Sequence, residues 1–224
     1  MKKIWLAACL LAAGSSLQAA FVTGTAVYDS SAAIPALDGA FGSWTVNFTT
    51  TDPAFKLTSV NFNVGVTNLF LDTTFQLVSP GALLNLDFSN LSGGGATGFT
   101  SISPATAALR DGATTFTLNF SDFGNAETFG FDLDVDECSN SLNPATSLGC
   151  SLVSGAEFAG ATITFNFTAP GHPAYAVTAA FADRASTNSQ WDAIASFQST
   201  VPEPSTYAML GSALAAAGLL RRKR

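Results

Sequence analysis

A strict alternation of apolar and polar residues recurs through most of this 224-residue chain. A period of two sends successive side chains to opposite faces of a strand, so one face is buried and the other meets water. Thr and Asn occupy most of the polar positions, which is typical of strands buried on one side only. The apolar sets with this period are Trp44/Val46/Phe48, Val60/Phe62/Val64/Val66, Phe116/Leu118/Phe120, Phe129/Phe131/Leu133/Val135, Ile163/Phe165/Phe167 and Tyr175/Val177/Ala179/Phe181.

Turn residues separate these segments at short intervals, as at Ser79-Pro80-Gly81 and Pro170-Gly171. The spacing indicates about nine strands with antiparallel connections. We predict one all-β domain over residues 21–200, an antiparallel β-sandwich with a jelly-roll-like topology and a core rich in Phe. The segment 191–197 comes nearest to a helical stripe, but it is too short to predict a helix. Residues 185–201 are expected to end the domain.

Basic residues are concentrated at the two ends of the chain. Only Lys56, Arg110 and Arg184 lie between them, whereas all 16 acidic residues lie within residues 21–204. Three basic and 16 acidic residues give this stretch a formal net charge of −13. Such a charge repels phosphate, so the composition argues against a nucleic-acid partner.

The first 20 residues have the layout of a secretory signal peptide. Lys2 and Lys3 precede an uncharged apolar run over residues 4–13, and small residues follow. Signal peptidases cleave after small residues at the end of such a segment. The sequence therefore predicts export, with cleavage after Ala19 or Ala20.

The last 24 residues contain three consecutive elements. Pro202-Glu203-Pro204 cannot continue a helix and predicts an extended, accessible segment. Residues 205–220 lack charge and would span about 24 Å as a helix. Residues 221–224 are all basic and would stay on the cytoplasmic side of a membrane. We therefore predict a C-terminal transmembrane helix that leaves the rest of the chain outside.

This ending resembles the PEP-CTERM sorting signal, in which a Pro-Glu-Pro motif precedes a transmembrane helix and a basic tail. The resemblance covers residues 201–224 and none of the main domain. It implies an exosortase substrate of a Gram-negative bacterium that exports polysaccharide, cut at or near Pro202 to Pro204. The chain would then be anchored transiently in the inner membrane and pass to the cell surface or extracellular matrix. A plain C-terminal anchor is the alternative.

Two cysteines remain once the signal peptide is removed, Cys138 and Cys150. In an oxidising compartment the simplest expectation is a disulfide between them. Closing a loop of this length stabilises a fold by about 3 kcal/mol in the chain-entropy treatment. A metal site or a reactive thiol is the alternative, and the single His of the chain does not favour structural zinc.

Alternate carboxylates mark the run from Asp132 through Asp134 to Asp136. A strand would place all three on one face, where a hard cation could separate their charges. Calcium is therefore a candidate ligand, although the run does not follow the EF-hand pattern. The alternative is a solvated acidic face on an acidic protein.

No nucleophile motif accompanies the single His, so we expect no enzymatic activity. Glu127 and Glu157 could supply the carboxylate pair of a polysaccharide hydrolase, but their separation cannot be read from the sequence. Trp44 and Trp191 could stack on sugar rings if exposed, although the alternation assigns Trp44 to the core.

The sequence thus favours an exported envelope or extracellular-matrix protein with a structural or adhesive role, which the resemblance links to exopolysaccharide and biofilm. Its partners would be the export machinery, exosortase and, transiently, the inner membrane. A carbohydrate-binding module, assisted by calcium at Asp132, Asp134 and Asp136, is the main alternative. A secreted hydrolase is the third.

Overall fold

The alternating segments form antiparallel strands in the computed structural model of the chain. It describes residues 20–29, 43–65, 68–73, 88–137, 151–153, 155–184, 192–201 and 212. Within them lie two four-residue helices, α1 (Gly94–Thr97) and α2 (Ala107–Arg110). The strands of the same residues are β1 (Ala20–Asp29), β2 (Ser43–Thr50), β3 (Lys56–Asn63), β4 (Leu69–Asp72), β5 (Ser89–Ser92), β6 (Phe99–Ser103), β7 (Thr115–Phe123), β8 (Glu127–Asp132), β9 (Asp134–Glu137), β10 (Ser151–Leu152), β11 (Thr162–Thr168), β12 (Tyr175–Ala180), β13 (Ala182–Asp183) and β14 (Asp192–Val201).

These strands form three sheets. The six-stranded sheet has the order β13-β14-β1-β2-β8-β5, and the five-stranded sheet has the order β12-β11-β3-β7-β6. A small sheet has the order β10-β9-β4. Every pairing is antiparallel, which confirms the all-β prediction. The jelly-roll topology is not confirmed by this strand order.

The two larger sheets pack face to face through aromatic side chains. Trp44 of β2 meets Phe62 of β3 edge-on, with ring centroids 5.1 Å apart. Farther along the interface, Phe48 of β2 packs on Phe167 of β11 at 5.2 Å. Both Trp44 and Phe48 are at most 1 % exposed. In β2, the inward positions predicted from the period of two are therefore the ones that build the core.

Trp44 also fixes the place where the chain leaves the six-stranded sheet. Its indole Nε1 donates a hydrogen bond to the backbone oxygen of Leu133, at 2.9 Å. Leu133 is fully buried and lies between β8 and β9, which belong to different sheets. One side chain thus supplies both apolar packing and a partner for a buried carbonyl group.

The longest pairing joins the first and last strands described. β1 and β14 are antiparallel over ten residues, from the pair Ala20 and Val201 to the pair Asp29 and Asp192. Most of the segment 191–197, whose sequence came nearest to a helical stripe, is therefore a strand. Residues 192–201 pair with β1 and belong to the folded domain. The physical reason is that β2 pairs with only one edge of β1, and the backbone groups of the other edge need the partners that β14 supplies.

Small residues hide the alternation in these two strands. Ala20 and Ala26 of β1 and Ala193 and Ala195 of β14 are buried. Gly24 stands opposite Phe197, and a Cβ on Gly24 would collide with the Phe197 ring. The missing side chain of Gly24 leaves room for the Phe197 ring and for Phe165 of the opposite sheet.

We predict that Trp44→Ala lowers the free energy of unfolding by about 3–5 kcal/mol, because it opens a cavity and leaves the Leu133 carbonyl without its donor. Trp44→Phe should cost less, since it keeps most of the ring packing. Guanidinium denaturation measures both. Leu109→Ala, at a side chain 67 % exposed, is the control and should change stability by less than about 0.5 kcal/mol. Equal losses for Trp44→Ala and Leu109→Ala would contradict the central role of Trp44.

Candidate functional site

Three carboxyl groups converge in the small sheet. Asp72 ends β4 and stands opposite Asp134, the first residue of β9, and Asp136 lies two residues farther along β9. Carboxylate oxygens of Asp72, Asp134 and Asp136 lie within 4.8 Å of one another. We refer to these three residues as the carboxyl cluster. Residues two apart on a strand share a face, and Asp72 joins them from the neighbouring strand.

The carboxyl cluster is largely withdrawn from water. Asp72 is 5 % and Asp134 is 7 % exposed. Burial raises the pKa of Asp134 well above its ordinary value, and the charges of Asp136 and Asp72 raise it further. A hydrogen bond from the Val135 backbone N–H to Asp134 Oδ1, at 3.0 Å, acts in the opposite direction. Desolvation dominates because a buried carboxylate loses its hydration.

The pKa of Asp136 is raised into the neutral range. Burial, a hydrogen bond with Asp72 and the Asp72 charge raise the pKa of Asp136 from 3.8 to about 7. Neighbouring carboxylates repel one another when both are ionised, which favours the protonated form of Asp136.

Further titratable groups surround the cluster. Burial raises the pKa of the Tyr28 hydroxyl, and the charges of Asp134, Asp136, Asp29 and Glu157 add to the effect. The pKa of Glu137 is also raised, first by burial and then by the charge of Glu157 and a hydrogen bond with it. This end of the molecule therefore concentrates negative charge.

A charged segment adjoins the cluster on the side of β4. The Gly112 backbone N–H donates to the Leu71 carbonyl at 2.8 Å, which holds residues 106–113 against the strand. This segment carries Arg110 and Asp111. Arg110 is buried, and its Nη1 donates to the Pro104 carbonyl at 2.6 Å.

The geometry allows two kinds of chemistry. The cluster can hold protons, as the raised pKa values of Asp134 and Asp136 indicate. They can also serve as oxygen ligands for a hard divalent cation such as calcium, which takes six to eight oxygens and would need others from backbone or water. The calcium hypothesis thus has a plausible ligand set in Asp72, Asp134 and Asp136.

The ligand set differs from the one that the sequence suggested. Asp134 and Asp136 come together as expected, but Asp132 belongs to β8 of the six-stranded sheet, where its Oδ1 accepts a hydrogen bond from Ser43 Oγ at 3.0 Å. The chain changes sheets at Leu133, so the alternation does not carry all three side chains to one face. Asp72 was missed because nothing in the sequence gives the register between β4 and β9.

Glu127 and Glu157 lie in different surroundings. Glu127 Oε2 accepts a hydrogen bond from the Gly124 backbone N–H at 2.7 Å, in the turn that joins β7 to β8. Glu157 is hydrogen-bonded to Glu137, at the far end of β9. The two glutamates therefore occupy opposite ends of the β8–β9 segment. Trp44 is buried and cannot stack on a sugar from solvent.

Several predicted features lie outside the described residues. These are Ala19, Trp191, the Cys138–Cys150 disulfide and Pro202 to Pro204, together with residues 205–220 apart from Ser212. Ala20 is described as the buried first residue of β1. Among described residues, no helix has the length and apolar composition needed to cross a membrane.

The chain ends that flank the two cysteines are close together. Glu137 of β9 and Ser151 of β10 are antiparallel partners, and these residues directly precede Cys138 and directly follow Cys150. Partnered strand residues have Cα atoms about 4.5–5.5 Å apart. The disulfide stays a prediction, but the described backbone brings its two flanks within reach of each other.

Comparison with protein families finds the PEP-CTERM protein-sorting motif at residues 200–224. The recognition of this sorting signal is thus confirmed. The motif supports an exported, envelope-targeted protein that exosortase processes. No curated protein and no solved structure matches the chain.

We predict that the pKa of Asp136 makes stability fall as the pH rises. A pKa raised from 3.8 to about 7 on folding favours the protonated group. Its contribution is fully present below about pH 4 and is lost as pH rises through 7. Asp136→Asn should therefore raise the melting temperature at pH 8 and change it little at pH 4. Asp183→Asn, at an exposed acid of β13, is the charge-matched control. A melting temperature of Asp136→Asn that tracks the parent chain from pH 4 to 8 would contradict the assignment.

Adding calcium tests whether the carboxyl cluster binds a divalent cation. If the carboxyl cluster binds calcium, millimolar calcium at pH 8 raises the melting temperature of the parent chain, and Asp136→Asn loses most of that rise. A parent chain that melts at the same temperature in calcium and in chelator would rule the calcium hypothesis out.

Proposed function

We propose that this chain is a structural or adhesive component of the bacterial envelope or extracellular matrix, released by exosortase after export and associated with exopolysaccharide. The observation that carries the proposal is the position of the sorting motif. It starts at residue 200, and β14 ends at Val201. The sorting signal therefore begins where the folded domain is complete.

The pairing of β1 with β14 supports a processing scheme in which the signal peptide and the sorting signal are both cleaved at the same end of the domain. Ala20 and Val201 are partners, and both are 2 % exposed. The signal peptide and the sorting signal are thus attached to neighbouring ends of two paired strands. Cleavage after Ala19 keeps the whole β1–β14 ladder, whereas cleavage after Ala20 removes its terminal pair. We therefore expect the mature chain to begin at Ala20.

The described surface supports a non-catalytic role. Glu127 closes a turn, and the carboxyl cluster is mostly buried. The outward positions of the sheets carry mainly hydroxyl and amide side chains, which suit contact with hydrated polymers. We propose that the domain acts through its surface rather than through a reaction.

A carbohydrate-binding module is the second candidate. It is supported by outward hydroxyl groups on both larger sheets, such as those of Thr164 and Thr178 or of Thr23 and Thr49, because a hydroxyl group can both donate a hydrogen bond to a sugar and accept one. Calcium at the carboxyl cluster would stabilise the domain in this case.

We predict that the mature protein from an exosortase-containing host begins at Ala20 and lacks residues 221–224. In the same host without exosortase, the chain should stay in the membrane fraction and keep Arg224. Intact-mass spectrometry measures both ends. Glu203→Ala should leave uncut protein, because it alters the Pro-Glu-Pro motif, whereas Asp183→Asn should be processed normally. Mature protein that keeps Arg224 while exosortase is present would contradict the proposal and favour a plain anchor.

Truncations separate sorting from folding. A chain that ends at Val201 should fold and remain soluble after export, since β14 is complete. A chain that ends at residue 191 should aggregate, because the long edge of β1 is then exposed. Soluble, folded protein from the shorter chain would contradict the role of β14.

A further inference from the structure

The sorting motif follows the folded domain without a linker. Val201, the last residue of β14, is 2 % exposed, and Pro202 is the next residue of the chain. Consecutive Cα atoms are about 3.8 Å apart, so three extended residues reach about 11 Å. All of the Pro-Glu-Pro motif therefore stays within about 11 Å of the sheet for as long as Val201 is buried there.

Three antiparallel pairs connect the end of β14 to β1. We call them the terminal pairs, and they are Ala20/Val201, Phe21/Thr200 and Val22/Ser199. The hydroxyl groups of Ser199 and Tyr175 are also hydrogen-bonded, at 2.5 Å, which joins β14 to β12 of the opposite sheet. Backbone pairing, a hydrogen bond between sheets and the burial of Val201 thus hold the three residues that precede the motif.

The two strands differ in how firmly they are held at this end. β1 pairs with β2 along its other edge, and the Phe21 backbone makes two hydrogen bonds with Thr51, at 2.9 and 3.0 Å. In the described part of the sheet, the other neighbour of β14 is β13, which pairs with Ala193 and Ile194 at the far end of the strand. Opening of the terminal pairs therefore releases β14 and leaves β1 in place.

The end of β14 also has few buried side chains. Between Ser196 and Val201, Val201 alone is buried, and the other residues are exposed or half-buried. The half-buried Phe197 packs on Phe165 of the opposite sheet, with ring centroids 4.9 Å apart. Segments with few buried apolar contacts open at a lower free energy than the whole fold. The terminal pairs can therefore open while Phe197 keeps the rest of the ladder closed.

We propose that exosortase cuts this chain from a state in which the terminal pairs are open, so that the folded end of the domain limits the rate of its own processing. The inference rests on the proposed function, because it concerns the same cleavage. A peptide bound as an extended strand uses its backbone hydrogen bonds and alternate side chains for recognition. Residues 199–201 cannot offer these groups while they are paired with β1 and Val201 is buried. Opening frees the backbone and moves the motif away from the domain.

A reversible cross-link tests the opening. Phe21→Cys combined with Thr200→Cys puts two thiols on paired residues, whose Cα separation suits a disulfide. The full-length chain, produced in a host without exosortase, is incubated with exosortase-containing membranes in mild detergent. Intact mass then follows the loss of residues 221–224. We expect the oxidised chain to be cut about tenfold more slowly than the same chain in reductant, because the disulfide keeps the terminal pairs closed.

A second cross-link is the matched control. Val27→Cys combined with Ile194→Cys locks a pair at the other end of the same ladder. Its oxidised and reduced forms should be cut at equal rates, since the terminal pairs stay free to open. Peptide mapping without reductant checks that each new cysteine is bonded to its intended partner and not to Cys138 or Cys150.

A linker tests the same point without cysteine. About six Gly and Ser residues inserted between Val201 and Pro202 form a flexible spacer. The chain with the spacer should be cut about tenfold faster than the parent chain, and the Phe21–Thr200 cross-link should no longer slow it.

Tyr175→Phe weakens the terminal pairs without changing the strand or the motif. It removes the hydrogen bond to Ser199 and should speed cleavage about fivefold, the effect of one ordinary hydrogen bond on an opening equilibrium. Phe62→Leu, at a fully buried residue of β3, lowers the stability of the whole domain and should leave the cleavage rate unchanged. Melting curves check that both variants are folded.

The outcomes separate this inference from the proposed function. Equal cleavage of the oxidised and reduced Phe21–Thr200 chain, or no gain from the spacer, would overturn the inference and leave exosortase processing standing. Equal slowing by the Val27–Ile194 cross-link would also overturn it. Cleavage of the spacer chain alone would support it, because the parent chain would then be fully restrained. If no chain is cut, with or without the spacer, the proposed function fails and the inference fails with it.

Discussion

The aromatic contact between the two large sheets is the interaction on which the rest of the structure depends. Trp44 lies where β2 faces the opposite sheet, and it stacks parallel to Phe131 of the adjacent strand β8, with centroids 5.9 Å apart. Phe62 and Phe116 of the five-stranded sheet stack on each other at 4.3 Å and both meet Trp44 edge-on. Rings in stacked and edge-on arrangements fill the space between sheets and add to the hydrophobic term.

This contact also determines where the acidic end of the molecule can form. The Trp44 indole holds the Leu133 carbonyl, so the chain leaves the six-stranded sheet at that residue and continues as β9. Without that change of sheet, Asp134 and Asp136 would continue along β8 and could not meet Asp72 of β4. The packing of one tryptophan is thus coupled to the placement of carboxyl groups whose burial costs stability at neutral pH.

The sequence predicted the parts of the fold that a period of two can reveal. Large inward residues such as Phe48 and Phe165 made the alternation visible, and the structure buries them as expected. β1 and β14 were not recognised, because Ala and Gly at inward positions give little contrast with their neighbours. Their ten-residue pairing links residues far apart in the chain, and local pattern carries no information about such a partner.

The sequence predicted two of the three residues of the carboxyl cluster, because local pattern carries no information about pairing between distant strands. Spacing along one strand brings Asp134 and Asp136 together, but the third member depends on the register between β4 and β9. The sorting signal was fully readable, because it acts as a linear segment and needs no tertiary contact to be recognised. Sequence reasoning therefore worked best for the sorting signal, which family comparison confirms at residues 200–224.

The two polar regions of the domain follow opposite physical rules, and this difference bears on function. The carboxyl cluster concentrates charge where water is scarce, so it responds to protons or cations and exposes little surface for a polymer. The outward rows of the two larger sheets instead carry uncharged hydroxyl and amide groups, such as those of Asn61 and Thr117, which hydrogen-bond to one another across neighbouring strands. The carboxyl cluster therefore accounts for the response of the domain to pH, whereas these rows exchange hydrogen bonds with water or with a hydrated polymer.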